Sequence, residues 1–297
     1  MNMKRLSIPF ALTIAFLTVA GLLILVGAMS QGTLVHASPS VLYVAPGGDC
    51  GGASPCYSTV QDAVDAAQPG DEIRVAAGLY TGINNKGGLA QMVYIDKSVT
   101  IRGGYTTSDW DNPNPDANHT ELNAQTLGRV VYITGTDTVV TLEGLHLTYG
   151  NSNGLGGYEW VYPYDCSDDV GGGVYIFKSS VTISHCWIDH SASPSDDCGG
   201  GLYVYGGILQ MTRTRMEDNE AGYGGAMYLH YTQTEVGDSS VFRDNRLTEA
   251  IGDGAAIKVS YGVLTCTNSI IESNEGGNVQ STSGALHAAY GLSLIHI

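Results

Sequence analysis

Between about residues 171 and 291 the chain alternates apolar and polar positions with period two, in short runs that recur. Five runs share one pattern: Gly173-Val174-Tyr175-Ile176, Gly201-Leu202-Tyr203-Val204, Ala226-Met227-Tyr228-Leu229, Ala256-Ile257-Lys258-Val259 and Ala285-Leu286-His287-Ala288. Small residues, mostly glycine, precede each run. The steps from Val174 to Leu202, Met227, Ile257 and Leu286 are 28, 25, 30 and 29 residues. A second mark falls between them: Trp187, Met216, Phe242 and Ile271, each followed three positions later by His190, Asn219, Asn245 or Asn274. Period-two runs at such a repeat predict stacked strands, because one strand cannot bury its inner face alone. Val174, Leu202, Met227, Ile257 and Leu286 then form one inward column, with Ile176, Val204, Leu229 and Val259 beside it. The glycines serve turns that need positive φ or close backbone approach. The asparagines stack at another corner and satisfy turn backbone groups.

Upstream, strands are expected at Val41–Val44, Glu72–Val75, Met92–Ile95, Val99–Arg102, Arg129–Thr134 and Val139–Leu142. Val99, Val140 and Val181 each begin a Val-Thr-aliphatic triplet, 41 residues apart, so loops are inserted between them: Gly104 to Thr120, and Asn151 to Asp169. Ser58 and Gln61 form a capping box ahead of an amphipathic stretch carrying Val60, Ala63, Val64 and Ala67. Pro69-Gly70 ends it. A short helix here suits a cap over the open end of a solenoid.

The alternation of Gly224-Gly225-Ala226-Met227 with Phe242-Arg243-Asp244-Asn245 resembles the G-G-A-[ILV] and F-x-x-N repeats of polymorphic outer-membrane and related β-helix surface proteins. More broadly, residues 41 to 291 resemble the right-handed β-helix, pectin-lyase-like superfamily. Ser58 to Tyr80 is similar to the entry segment of many of its members. The resemblance implies an all-β fold, a right-handed parallel β-helix solenoid with a short N-terminal capping helix. It implies little about activity, because one fold hosts many functions.

The two ends add boundaries. Lys4 and Arg5 precede an apolar run to about Met29, and Val35-His36-Ala37 fits a small-residue cleavage site, so 1–37 reads as a signal peptide. An uncleaved anchor is the alternative. Residues 38–70 read as the cap segment and 71–291 as the β-helix. The last six residues, 292–297, match one frame of a sequencing-adapter end, so the native chain is expected to continue past Gly291. The formal charge is −16, and removing 1–37 takes two basic and no acidic residues. Such a surface disfavours nucleic acid, anionic membranes and bare polyanionic glycans that no cation bridges. No membrane insertion is expected once the signal is cleaved.

Candidate chemistry is sparse. Tyr158, Trp160, Tyr162 and Tyr164 sit at every second position of one insertion and share a face if extended. Tyr175, Tyr203 and Tyr228 form an outward column. Either set fits a glycan platform, since flat rings stack on sugars, or else plain packing. Asp168 and Asp169 register with Asp196 and Asp197, and a calcium ion would relieve their crowding. Splayed, solvated loops are the alternative. Cys50 with Cys56, and Cys166 with Cys198, are expected disulfides in a secreted chain. Cys266 occupies the place of Met211 and is expected buried. Asp189, Asp218 and Asp244 form a further acidic column near Arg213, Arg215, Arg243 and Arg246. The paired-Asp, Gly-His-Gly and Arg-x-Lys motifs of polygalacturonase-type hydrolases are not found in the sequence, and no catalytic residue is assigned. The reading is a secreted or cell-surface module for display and adhesion that binds polysaccharide or neighbouring surface material. The rivals are a pectate-lyase-like polysaccharide lyase or glycoside hydrolase, and a purely structural stalk or surface-layer repeat.

Overall fold

The strand Val174–Phe177, a two-residue corner, the strand Ser180–Ser184, another two-residue corner and the strand Trp187–Asp189 make most of one coil. The chain then returns through a longer connection to Leu202–Tyr205, directly above Val174–Phe177. Each strand pairs in parallel with its equivalent in the next coil: Val174 with Leu202, Ser180 with Ile208, Trp187 with Arg215. The computed structural model describes residues 39–156, 166, 169–248, 252–276, 285–289 and 293–295. Over these, the strands form sheet A of ten strands, sheet B of seven and sheet C of eight. Ser180–Ser184 belongs to A, Trp187–Asp189 to B and Val174–Phe177 to C. The architecture is the parallel β-helix that the repeat resembles.

The lumen is filled as the alternation requires. Val174, Leu202, Met227 and Ile257 have no exposed surface, nor have Ile176, Val204, Leu229 and Val259. They belong to one continuous cluster that runs from Leu42 to Cys266. Its driving force is apolar area removed from water, about 25 cal/mol per Å². Cys266 registers with Val236 and Met211 and is buried, which pushes its thiol pKa up.

Asparagines stack at the corner after sheet B. The Asn219 amide donates to Asn245 Oδ1 (3.0 Å), and the Asn245 amide donates to Asn274 Oδ1 (2.9 Å). Each also donates to a carbonyl of the neighbouring coil, Ile188 O and Met216 O. Gly171, Gly199, Gly224 and Gly254 all have φ between 62° and 69° just before a sheet C strand. A Cβ on Gly199 would lie 2.4 Å from the Leu202 carbonyl oxygen, so both φ and space exclude a side chain.

Three expectations shift by small amounts. The strand Val41–Val44, expected in the cap segment, is already part of sheet A and pairs with Glu72–Val75. Helix α1, Val60–Ala66, is capped by Thr59, one residue later than expected. The Thr59 hydroxyl accepts from the Asp62 N–H (3.1 Å) and donates to its carboxylate (2.7 Å). Gln61 is thereby freed from capping and turns inward. Its Oε1 accepts from the Tyr94 N–H (2.6 Å), so the helix satisfies the backbone at the start of sheet C.

The third shift concerns the sheet B mark. Ile188, not Trp187, registers with Met216 and Phe242 and points into the lumen. Trp187 therefore points outward, and Ser191, not His190, stands in the asparagine column, donating its N–H to Asn219 Oδ1 (3.1 Å). The expected acidic column breaks up for the same reason. Asp189 registers with Glu217 and Arg243, while Asp218 and Asp244 lie in the following corner. At the far end, Ser293–Ile295, expected to be adapter-derived, extends sheet A in register with Leu264–Cys266. An alternating segment beside an open strand edge has the hydrogen-bonding groups to do so. Residues 1–37, expected to be a signal peptide, lie outside the described residues, and no described helix is long and apolar enough to cross a membrane.

Candidate functional site

Sheet C carries the aromatic residues. Its outward positions alternate with the lumen-facing ones, so Tyr132, Tyr175, Tyr203 and Tyr228 project away from the core in one column. For Tyr175, Tyr203 and Tyr228 the expectation left open a glycan platform or plain packing. Tyr175, Tyr203 and Tyr228 have no exposed surface. The segments that lead into each sheet C strand fold back over them, and the rings pack with Cys166, Val170 and Cys198 in a second apolar layer outside the coil. Tyr132 stacks on Tyr175 at 4.8 Å and Tyr203 on Tyr228 at 5.5 Å. Covered rings of this kind stabilise the sheet and offer no face to a ligand.

The same layer holds charge. Arg129 is fully buried and lies over the Tyr175 ring, donating to Val170 O (2.9 Å) and Gly156 O (2.5 Å). Burial pushes its pKa down to about 10. Lys258, also buried, meets Asp253 at 2.8 Å. Lys258 takes the register position that Tyr228 holds in the preceding coil.

The exposed aromatic edge lies two positions further along each strand and at the corner beyond. Phe177 and Tyr205 are half-buried and stack at 5.5 Å. Lys178, at the corner, lies 4.7 Å from the Phe177 ring. In the next two coils the corner residue is itself aromatic. Tyr231 and Tyr261 stack at 5.1 Å, and Tyr231 is 44% exposed. Ile208 (45% exposed) and Val263 (41%) begin the following strands of sheet A and widen the ridge. Coils are spaced at about 4.8 Å, so the ridge presents one apolar or aromatic group per sugar-sized step. The sequence carries this signal in Tyr205, Tyr231 and Tyr261 at the ends of their runs, less regularly than the column at 175, 203 and 228.

The other expected site residues separate. Tyr158, Trp160, Tyr162, Tyr164 and Asp168 lie outside the described residues. Asp196 is exposed and Asp197 buried. Asp169 is used structurally: its carboxylate accepts from the Gly154 and Gly156 N–H groups, and its own N–H donates to Asp197 Oδ1 (3.3 Å). Among the described residues no three His, Cys, Asp or Glu side chains are grouped to hold a metal ion. Cys50–Cys56 and Cys166–Cys198 are both disulfides, the second tying two successive coils together. Cys186 and Cys266 are free and buried, and burial pushes the Cys186 thiol up to about 12.

No family model matches the sequence, and no curated protein matches it. Among solved structures the chain is similar to the pectin methylesterase from Aspergillus niger in deglycosylated form, with a TM-score of 0.35 and 13% identity over 87% of this chain and 90% of that one. The penultimately deglycosylated form of that enzyme gives 0.37 and 12% over the same shares. Likeness at this distance says nothing of activity, and the fold stands on the three parallel sheets themselves.

Proposed function

We propose that this β-helix is an extracellular display and adhesion module that binds a glycan along the ridge formed by Phe177, Tyr205, Tyr231 and Tyr261. The observation that carries the reading is the run of partly exposed rings and exposed aliphatic side chains along successive coils, with Lys178 at its start, on a chain of formal charge −16. Aromatic and aliphatic surface of this kind packs against the C–H faces of sugar rings, and tyrosine hydroxyls supply hydrogen bonds to their hydroxyls. A rigid stack fixes the spacing before the ligand arrives, which lowers the ordering cost of binding. Two disulfides support an oxidising compartment.

The test is retention of the protein on neutral glycan affinity gels, followed by calorimetry with oligosaccharides of the glycan that retains it. Replacing Tyr231 and Tyr261 together by alanine is expected to weaken binding about tenfold or more, measured at a temperature where a melting curve shows the variant folded. Equal binding by the double variant, or no retention on any neutral glycan, rejects the ridge as the site.

A further inference from the structure

A second surface, on the corner between sheets A and B, has a different chemistry. A groove of about 310 Å³ crosses several coils there, and its lining includes His119, His146, His185, Trp187, Arg213 and Arg215. We propose that this groove binds a glycan chain bearing carboxylate or sulfate groups, with Arg213 and Arg215 receiving the anions and the Trp187–His146 stack receiving a sugar ring.

The arginines carry the argument. Arg74, Arg102, Arg243 and Arg246 each lie against a carboxylate, and Arg129 is buried against backbone carbonyls. Arg213 and Arg215 are exposed, and no described carboxylate lies within ion-pair distance of either. They stand two residues apart, on the corner and on the first residue of the strand Arg215–Glu217, so both reach the groove. Unpaired guanidinium groups in so acidic a chain mark a place where a ligand supplies the missing anion.

Most of the nearby carboxylates are already engaged. Asp189 is buried between His146 Nε2 (2.9 Å) and His190 Nδ1 (3.3 Å), and its pKa is lowered even against the cost of burial. Glu217 is held by Arg243 at 2.8 Å. Asp116, on the rim, meets His185 at 3.1 Å. Asp238, at the next corner, is exposed; its backbone carbonyl accepts from the Arg213 N–H (3.1 Å), and its carboxylate forms no ion pair with either arginine. Net charge averages over the whole chain, whereas at physiological salt a ligand group responds to charges within about 8–10 Å. The groove can therefore attract an anion that the molecule as a whole repels.

Trp187 argues for a sugar over a bare ion or a peptide. It is half-buried and stacked on His146 at 4.4 Å, 11° from parallel. Asp189 fixes the imidazole, so the pair forms a rigid flat wall beside the arginines.

Calorimetry at low and at physiological salt tests the proposal with three probes: oligogalacturonate for carboxylates, a heparin-derived oligosaccharide for sulfates and a neutral β-glucan oligosaccharide. The protein is expected to bind one or both anionic probes, more weakly at higher salt. R213Q/R215Q is expected to lose about tenfold or more. K86Q/K97Q removes the same formal charge near the capping helix and is expected to bind as the parent does. A melting curve of each variant separates lost binding from lost folding, since Arg213 and Arg215 are exposed whereas Lys86 pairs with Asp65 and Lys97 donates to the carbonyls of Asp65 and Ala67. Which anionic probe binds identifies the anion. The proposal is overturned if neither anionic probe binds at low salt. It is equally overturned if R213Q/R215Q binds within threefold of the parent, or if the two double variants lose affinity alike.

Discussion

His230 illustrates how burial turns a single residue into a pH-dependent element. It follows Leu229 on a sheet C strand, has no exposed surface, stacks on Tyr231 at 4.5 Å and lies 3.4 Å from the Tyr203 hydroxyl. Desolvation pushes its pKa down to about 4. The folded state thus holds the imidazole neutral where the unfolded chain, titrating near 6.5, takes up a proton. Protonation favours the unfolded state, so stability is unaffected above that value and falls as pH drops toward 4. The loss is on the order of 2–3 kcal/mol. Urea unfolding at pH 7.5, 6 and 5 should show the decline, and His230→Gln should flatten it while lowering stability at pH 7.5. An unchanged slope in the variant would remove His230 as the cause. Asp189 acts in a lower window. Its depressed pKa supplies stability above the usual carboxylate range, lost as pH falls through its folded value.

At the level of elements, the corners decide more than the strands. Asn219 accepts the Ser191 N–H, donates to Ile188 O and donates to Asn245, all in a buried setting. Asn219→Ala leaves those groups without partners and should cost about 2–4 kcal/mol. Asn274→Ala, at a more exposed rung, should cost less, and the urea midpoints of the two variants give the comparison. The inward columns were legible in the sequence because the period of two fixes them within a strand. The register between coils was less so. Coils differ in length, and a one-residue slip exchanges the faces. That slip hid Trp187 on the outer surface and with it the groove. The covered tyrosines were illegible for another reason. Their orientation follows from the alternation, but their burial depends on connecting segments that no local pattern describes.

Over the described coils, the strands of each sheet pair with those of the adjacent coils, the insertion carrying Asp116 reaches one coil further to His185, and the backbone hydrogen bonds of all three sheets run along the stacking axis. Load applied between the two ends therefore opens the bonds of one coil at a time, in the manner of a zip, instead of shearing many at once. Each coil released, about 28 residues long at Val174 to Leu202, yields roughly 90 Å of extended chain. Single-molecule pulling should show a series of small, similar steps and no single large rupture. The Cys166–Cys198 bridge should withhold the slack of its own loop until it is reduced. A molecule built this way lengthens gradually under tension while the coils still stacked keep their fold and the surfaces they carry.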